Sequence, residues 1–340
     1  MKGPILGWDV GGANVKAARL HAGVEPTIVE RPFALWREPT RLPEVLVEVG
    51  AQLGGASRMA VTMTAELADC FATKREGVGS VLDAFAAAFP SASLHVFGVD
   101  GRFHSVAGAR RRPLKVAAAN WMATAQLVSE HWRDALLIDV GSTTTDIIPI
   151  VAGRVLTRGC TDTGRLRSGE LVYTGLLRTP VCAVVRWAPL GGRRCRVAAE
   201  QFAIAADAHL WLGHIEPAAY DCETPDGRGR SREEAAARLA RVICADAETI
   251  APAEVTAIAE HVAAAQVRQI VSGLRQVLKR LGTVAPRTAV VAGSGALLAR
   301  AAALGVGLAV CGLADRLGAA AARAAPAAAV AHLLARGLET

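Results

Sequence analysis

Aromatic side chains make up only 4% of this sequence, with two tyrosines, seven phenylalanines and six tryptophans. Single-stranded nucleic acid is held on stacked rings, so the formal charge of +7 reads as scattered surface arginine and not as a nucleic-acid site. The seven cysteines are odd in number and form no C-x-x-C pair, which argues against a disulfide framework or a zinc ribbon and for a reducing compartment. Long uninterrupted apolar runs are also missing. The Ala-rich segment Gly318–Ala335 carries Arg323, Pro326 and His332, so it reads as a packed helix pair too polar to span a bilayer. The opening "MKGPILGWDVGG" reaches Asp9 before a secretory-signal core can form. A cytoplasmic protein acting on small molecules is expected, with no membrane partner. Whether it forms a homo-oligomer is left open by the sequence.

What is present is a pattern written twice. "ILGWDVGGANVKAARL" at Ile5–Leu20 and "LLIDVGSTTTDIIPI" at Leu136–Ile150 each run from an apolar stretch into Asp-Val-Gly, then a small or hydroxyl-bearing turn, then a second apolar stretch. Glycine-containing reversals follow, "HAGV" at His21–Val24 and "VAGR" at Val151–Arg154. The spacing predicts strand, tight turn, strand and hairpin in both halves, as a duplicated domain would give. Helices are expected over Arg41–Leu53, Val78–Phe89, Ala117–Trp132, Arg232–Asp246 and Pro252–Leu281, with strands at Met59–Met63, Leu94–Val99 and Thr288–Ala292. Alternating strands and helices indicate an α/β architecture, with a domain over 1–130 and another over 131–340. "GARRRP" at Gly108–Pro113 reads as a basic loop, and "DCETPDGRGRS" at Asp221–Ser231 as an exposed one.

Turns of Gly and Ser/Thr present backbone N–H groups in a concavity suited to phosphate oxygens. The first such turn offers Gly11, Gly12 and Asn14, closed by Lys16; the second offers Gly141, Ser142, Thr143 and Thr144. The preceding acids, Asp9 and Asp139, would repel phosphate alone, but make sense if Mg²⁺ takes carboxylate and phosphate oxygens together. A third element, Gly293-Ser294-Gly295, breaks a strand and opens a helix, another anion-binding geometry.

These three segments, in this order, resemble the acetate and sugar kinase/Hsp70/actin superfamily. The resemblance implies a duplicated two-domain, actin-like (ribonuclease H-like) α/β fold with a central cleft, and a last helix returning to the first domain. The first turn has Ala13-Asn14 where such kinases usually offer Thr or Ser, and the third loop is shorter than a typical adenosine motif. ATP is therefore the alternative ligand and not the first. A narrower match rests on "VTMTAELADCFATKREGV" at Val61–Val78, "AAANWMATA" at Ala117–Ala125 and "GRLRSGELVYTGLLRTPVCAVVR" at Gly164–Arg186. Together they resemble the hydantoinase/oxoprolinase-related proteins of the tetrahydromethanopterin-linked C1-transfer pathway. That resemblance implies a transferase joining an aminomethyl-furanmethyl diphosphate to a phenolic acceptor, a glutamyl-tyramine or a tyrosine derivative, with release of diphosphate. The alternatives are an ATP-dependent kinase and an oxoprolinase-like amidohydrolase.

Such chemistry needs charge neutralisation at the leaving group and a base for a phenol whose ordinary pKa is about 10. Glu66 is the candidate base and Asp69, three residues on, its assistant if the turn opens a helix; the competing reading is a helix-capping pair. Thr64 and Lys74 are candidate substrate contacts. Asn120 and Trp121 are candidates to orient the aromatic acceptor, although a tryptophan there is more often core. His209 and His214 are five apart, which does not suit a metal pair on one helical face.

Overall fold

The computed structural model describes residues 3–21, 25–246 and 248–337. Apart from His21, the reversal expected at His21–Val24 lies outside them. The chain divides into two compact units. The first holds 1–137, 148–165 and 311–340; the second holds 138–147 and 166–310.

The first unit is built on a six-stranded sheet in the order β3-β2-β1-β4-β5-β6. Its strands are β1 (Ile5–Val10), β2 (Asn14–Leu20), β3 (Thr27–Pro32), β4 (Arg58–Met63), β5 (Ser93–Phe97) and β6 (Phe103–Ser105). Because side chains alternate across a strand, Leu6, Trp8 and Val10 enter one core, shared with helices α1 (Leu42–Gln52) and α2 (Lys74–Ala88). The Trp8 ring lies 5.6 Å from that of Phe85 in an edge-on arrangement, fixing β1 to α2. Helix α2 begins four residues before the expected Val78, because Thr73 caps it: its hydroxyl accepts from the Glu76 amide at 3.2 Å. "GARRRP" is not a loop. It lies largely in α3 (Val106–Arg111), which Ser105 caps by accepting from the Gly108 amide at 3.1 Å.

Helix α4 (Asn120–His131) precedes the second sheet, in which β7 (Ala135–Val140), β8 (Thr145–Val151) and β9 (Arg154–Val155) repeat the first three strands. The expected hairpin at Val151–Arg154 is present, with φ of 52° at Ala152 and 74° at Gly153, the left-handed values a two-residue turn requires. Beyond α5 (Asp162–Ser168), the second sheet continues with β10 (Leu171–Val172), β13 (Thr288–Ala292) and β14 (Ala309–Gly312) in the order β10-β8-β7-β13-β14. The central arrangement β2-β1-β4 thus recurs as β8-β7-β13.

The second unit also contains α6 (Val181–Val184), the hairpin β11 (Trp187–Leu190) and β12 (Arg193–Arg196), α7 (Ala205–Trp211), α8 (Arg232–Arg241) and α9 (Pro252–Leu281). Helix α9 has the expected bounds, with proline in its first turn and Gly282 at φ 57° past its end. Helix α8 stops at Arg241, earlier than expected. Helix α10 (Ala296–Leu304) follows β13 directly. After β14, short helices α11 (Ala314–Leu317) and α12 (Ala319–Arg323) lead to α13 (Ala325–Gly337), which packs on β1, β2, β4 and α4 in the first unit. Gly7 permits this: a methyl group there would meet Ala331 at 2.8 Å. Among the described residues, no helix is long and apolar enough to cross a membrane.

Candidate active site

The two turns share one backbone construction. In the first, the Gly11 amide donates to the Asn14 carbonyl at 2.9 Å; in the second, Gly141 donates to Thr144 at 2.9 Å. Each is clasped from behind by a later segment. The amides of Phe33 and Leu35 bond the carbonyls of Ala13 and Gly12, both at 2.9 Å. In the second unit, Leu176 donates to Gly141 at 2.9 Å, and Leu177 and Arg178 donate to Ser142 at 3.0 and 2.9 Å. The turn carbonyls are therefore occupied by protein donors, an arrangement that commits acceptors to the fold and suits an anion on the other side.

In the second unit the structure brings the third loop to the second turn. Gly295 donates to the Val140 carbonyl at 2.8 Å, and a side chain on Gly293, at φ 81°, would run into Asp139 and Val140. Asp139 is half-buried, and Ser142 and Thr143 place their hydroxyl oxygens 3.4 Å apart. Behind this turn Gly175 approaches the Thr143 amide so closely that a Cβ would sit 2.5 Å from it. Gln266 of α9 secures this contact by donating to the Thr174 hydroxyl at 3.0 Å and the Gly175 carbonyl at 2.7 Å. Its own oxygen then accepts from His209 Nε2 at 2.9 Å, so the other ring nitrogen of neutral His209 accepts from His214 at 3.0 Å. Burial pushes the His209 pKa down to about 4. The two histidines belong to this polar chain, and among the described residues no cluster of three or more metal-ligating side chains exists.

The first unit holds a carboxylate withdrawn from water. β4 ends at Met63, and the Thr64 amide donates to the Val10 carbonyl at 2.9 Å, so the chain leaves the sheet beside the first turn. Thr64 Oγ1 lies 3.5 Å from where a Gly11 Cβ would stand. A single 3₁₀ turn, Ala65–Leu67, then puts Glu66 into the interior at 1% exposure. Gly77 makes this possible, since a Cβ there would lie 2.5 Å from the Glu66 carbonyl oxygen. Neither Glu66 carboxylate oxygen has a hydrogen-bond partner among the described residues. The Lys74 ammonium is 3.6 Å away. Burial pushes the Glu66 pKa up to about 7; Lys74 and, more weakly, the nearby backbone of Glu66 and Ala118 oppose the rise, while Asp162 adds to it. Ala118 itself has φ 48°, a left-handed value uncommon for a side-chain-bearing residue, and such outliers gather at functional sites.

Two residues of this cluster were not anticipated. Asp162 Oδ2 is 2.6 Å from Lys74 Nζ, and Arg165 lies 3.9 Å from Asp162. The Arg165 guanidinium covers the Trp121 ring at 4.3 Å from its centroid. Arg165 falls in the run beginning at Gly164 that carries the family resemblance, but nothing local in the sequence joins Asp162 to Lys74.

The structure corrects three expectations. Asp69 does not share a face with Glu66: the chain turns extended at Ala68, with ψ 145°, leaving Asp69 exposed. Trp121 offers no face to an acceptor, because it is 2% exposed and covered by Arg165. Lys16 does not close the first turn; its ammonium is held by Glu30 at 2.5 Å and the Arg323 carbonyl at 3.0 Å. Gly12 borders Ala68 of the Glu66 segment, a Cβ there standing 4.0 Å from that methyl. Asp9, Asn14 and Asn120 are half-buried, and among the described residues the buried Asn14 side-chain oxygen has no hydrogen-bond partner.

The sequence profile of the hydantoinase/oxoprolinase family matches residues 57–336. The chain belongs to that family. Within it, the chain is 41% identical over 251 residues to (4-{4-[2-(gamma-L-glutamylamino)ethyl]phenoxymethyl}furan-2-yl)methanamine synthase of Methanocaldococcus jannaschii, covering 74% of each protein. A protein of the same name from Methanococcus vannielii is 38% identical over 131 residues, 38% of this chain and 59% of that one. Among solved structures, the ethanolamine utilization protein EutJ from Carboxydothermus hydrogenoformans superposes with TM-score 0.50 at 12% identity, over 97% of this chain and 91% of that one. This likeness concerns the fold alone, a mixed α/β arrangement in which one strand order recurs in two sheets. This hydantoinase/oxoprolinase family member is thus a homologue of named biosynthetic synthases.

Proposed function

We propose that the protein is an ether-forming transferase in the biosynthesis of a methanofuran- or methylofuran-type C1 carrier. It couples an aminomethyl-furanmethyl diphosphate to the phenol of a glutamyl-tyramine or tyrosine-derived acceptor. The carbon–oxygen bond to diphosphate breaks, the leaving group takes the electron pair, the phenolic oxygen bonds to the furan-bearing carbon, and the phenol proton goes to Glu66. The observation that carries this reading is Glu66 itself: a carboxylate 1% exposed, with no hydrogen bond to either oxygen among the described residues, on the segment that borders the first turn. Its pKa of about 7 is where a general base works best near neutral pH. The name of the 41% identical relative supports the product class, a phenoxymethyl furan.

Other residues follow from the same reading. Gly11, Gly12 and Asn14 in one unit, and Gly141, Ser142, Thr143, Thr144, Gly293, Ser294 and Gly295 in the other, supply the phosphate-binding turns. Thr64 and Asn120 are candidates for substrate contacts. Asp9 and Asp139, each half-buried one residue before the end of its strand, are the carboxylates that would hold Mg²⁺. Bound there, Mg²⁺ would supply charge neutralisation for the leaving group.

A second reading is an ATP-dependent small-molecule kinase or an oxoprolinase-like amidohydrolase; of these the family profile favours the amidohydrolase. One assay separates the two. Purified protein with Mg²⁺ and a furanmethyl diphosphate, with and without a tyramine derivative, is followed for diphosphate release and ether mass, and a parallel sample for ATP turnover. Ether formation without ATP consumption is expected; ATP hydrolysis without ether would overturn the proposal.

A further inference from the structure

Lys74 stands between two carboxylates and is committed to one of them. Its ammonium is 2.6 Å from Asp162 and 3.6 Å from Glu66, so it hydrogen-bonds the first and only attracts the second. We infer that Asp162 is a positioning residue: by drawing Lys74 onto its own carboxylate, it keeps Glu66 from closing into a permanent ion pair and so leaves it able to accept a proton. This deepens the transferase reading and rests on it for the use made of that proton.

The place of Asp162 is built rather than incidental. It opens α5, where the Arg165 amide bonds the Thr161 carbonyl at 2.8 Å and the Gly164 amide bonds the Thr161 hydroxyl at 3.2 Å. A Cβ on Gly159 would stand 2.6 Å from the Gly164 carbonyl carbon, so this turn closes only around glycine. Arg165, 2% exposed and seated on the Trp121 ring, supports Asp162 from behind. The charged groups facing Glu66 are therefore Lys74 from α2 and Asp162 from α5, with Arg165 behind the latter. From the Glu66 segment itself, Asp69 is exposed.

Two substitutions pull Glu66 in opposite directions. In Asp162→Asn, Lys74 loses its nearer anion and Glu66 becomes its remaining carboxylate, which favours the ionised form. In Lys74→Met, the cation is removed from a buried acid, which favours the protonated form. A residue that merely held the fold together would not give shifts of opposite sign.

The test uses the intact protein labelled with carboxyl-¹³C glutamate, with the Glu66 resonance assigned as the one missing in Glu66→Gln. The wild-type midpoint is expected at about 7. Asp162→Asn is expected to lower it by about one unit, a tenfold change in proton affinity; Lys74→Met is expected to raise it, and Asp162→Glu to restore a value near wild type. An unmoved or raised midpoint in folded Asp162→Asn overturns the inference, as does a lowered one in Lys74→Met. If Asp162→Asn does not fold, the Lys74→Met and Asp162→Glu titrations decide. No substrate is present, so failure of the coupling chemistry, read separately as full ether formation by Glu66→Gln, is distinguishable from failure of this inference.

Discussion

Glu66 and Asp207 are both carboxylates withdrawn from water, 1% and 0% exposed, and in both burial raises the pKa. Their surroundings differ completely. Asp207 accepts from Arg238 Nε at 2.8 Å, from the Tyr220 hydroxyl at 3.0 Å and from the Ile204 amide at 2.9 Å. Arg238 is in turn shared with Asp226, which also takes Arg241 at 3.1 Å. Among the described residues Glu66 has one cation at 3.6 Å and no hydrogen-bond partner for either carboxylate oxygen. A buried acid surrounded by donors is spent on the fold, whereas one left without them holds its proton affinity in reserve for chemistry.

Substitution sharpens the contrast, beginning with the largest effect. Replacing Glu66 by Gln should slow ether formation by about 10²–10⁴, as for a lost general base, while circular dichroism shows an unchanged fold; a loss under tenfold would return Glu66 to a structural role. Replacing Asp207 by Asn should do the reverse. Arg238 would be left buried with only the outlying Asp226 as its carboxylate, and denaturant unfolding should show a loss of about 3 kcal/mol, with activity per folded molecule unchanged.

The pH dependence of stability separates the two acids further. Because the Glu66 pKa is raised from 4.5 to about 7 on folding, the native state holds a proton there that the unfolded chain releases. That contribution is complete below pH 4.5 and disappears as pH rises through 7. Ionised Glu66 therefore destabilises the wild-type protein at higher pH, by roughly 1–3 kcal/mol. Glu66→Gln should accordingly unfold at higher denaturant than wild type at pH 8, with the gap closing toward pH 4. A variant less stable than wild type at pH 8 would contradict a buried carboxylate whose desolvation outweighs its attraction to Lys74. The smallest expected change is Gly77→Ala, which pushes a methyl group into the Glu66 backbone. It should cost about 1–3 kcal/mol, and should lower kcat more than it raises KM if Glu66 is displaced.

The sequence made visible what local rules control. Asp-Val-Gly followed by small residues marked both turns, and their shared closure bears out the duplication. Pro252 and Gly282 bracketed α9 to the residue, since one fits a first helical turn and the other a left-handed exit. Where the deciding partner is distant, the sequence was silent. Lys74 and Asp162 are 88 residues apart, and no periodicity links them. Trp121 carried the right chemistry for an acceptor platform, yet Arg165 covers it. Asp69 was paired with Glu66 through an assumed helix that ends after one turn. Thr73 and Ser105 were caps hidden in polar stretches, which explains the late start assigned to α2 and the missed α3.

The embrace of Gly7 by Ala331 has a consequence for how the molecule is made. Strand β1 leaves the ribosome some three hundred residues ahead of the helix that covers it. Over that interval the nascent first sheet has one bare side, at risk of sticking to neighbours. Removing α13 would leave the sheet in that exposed condition for good.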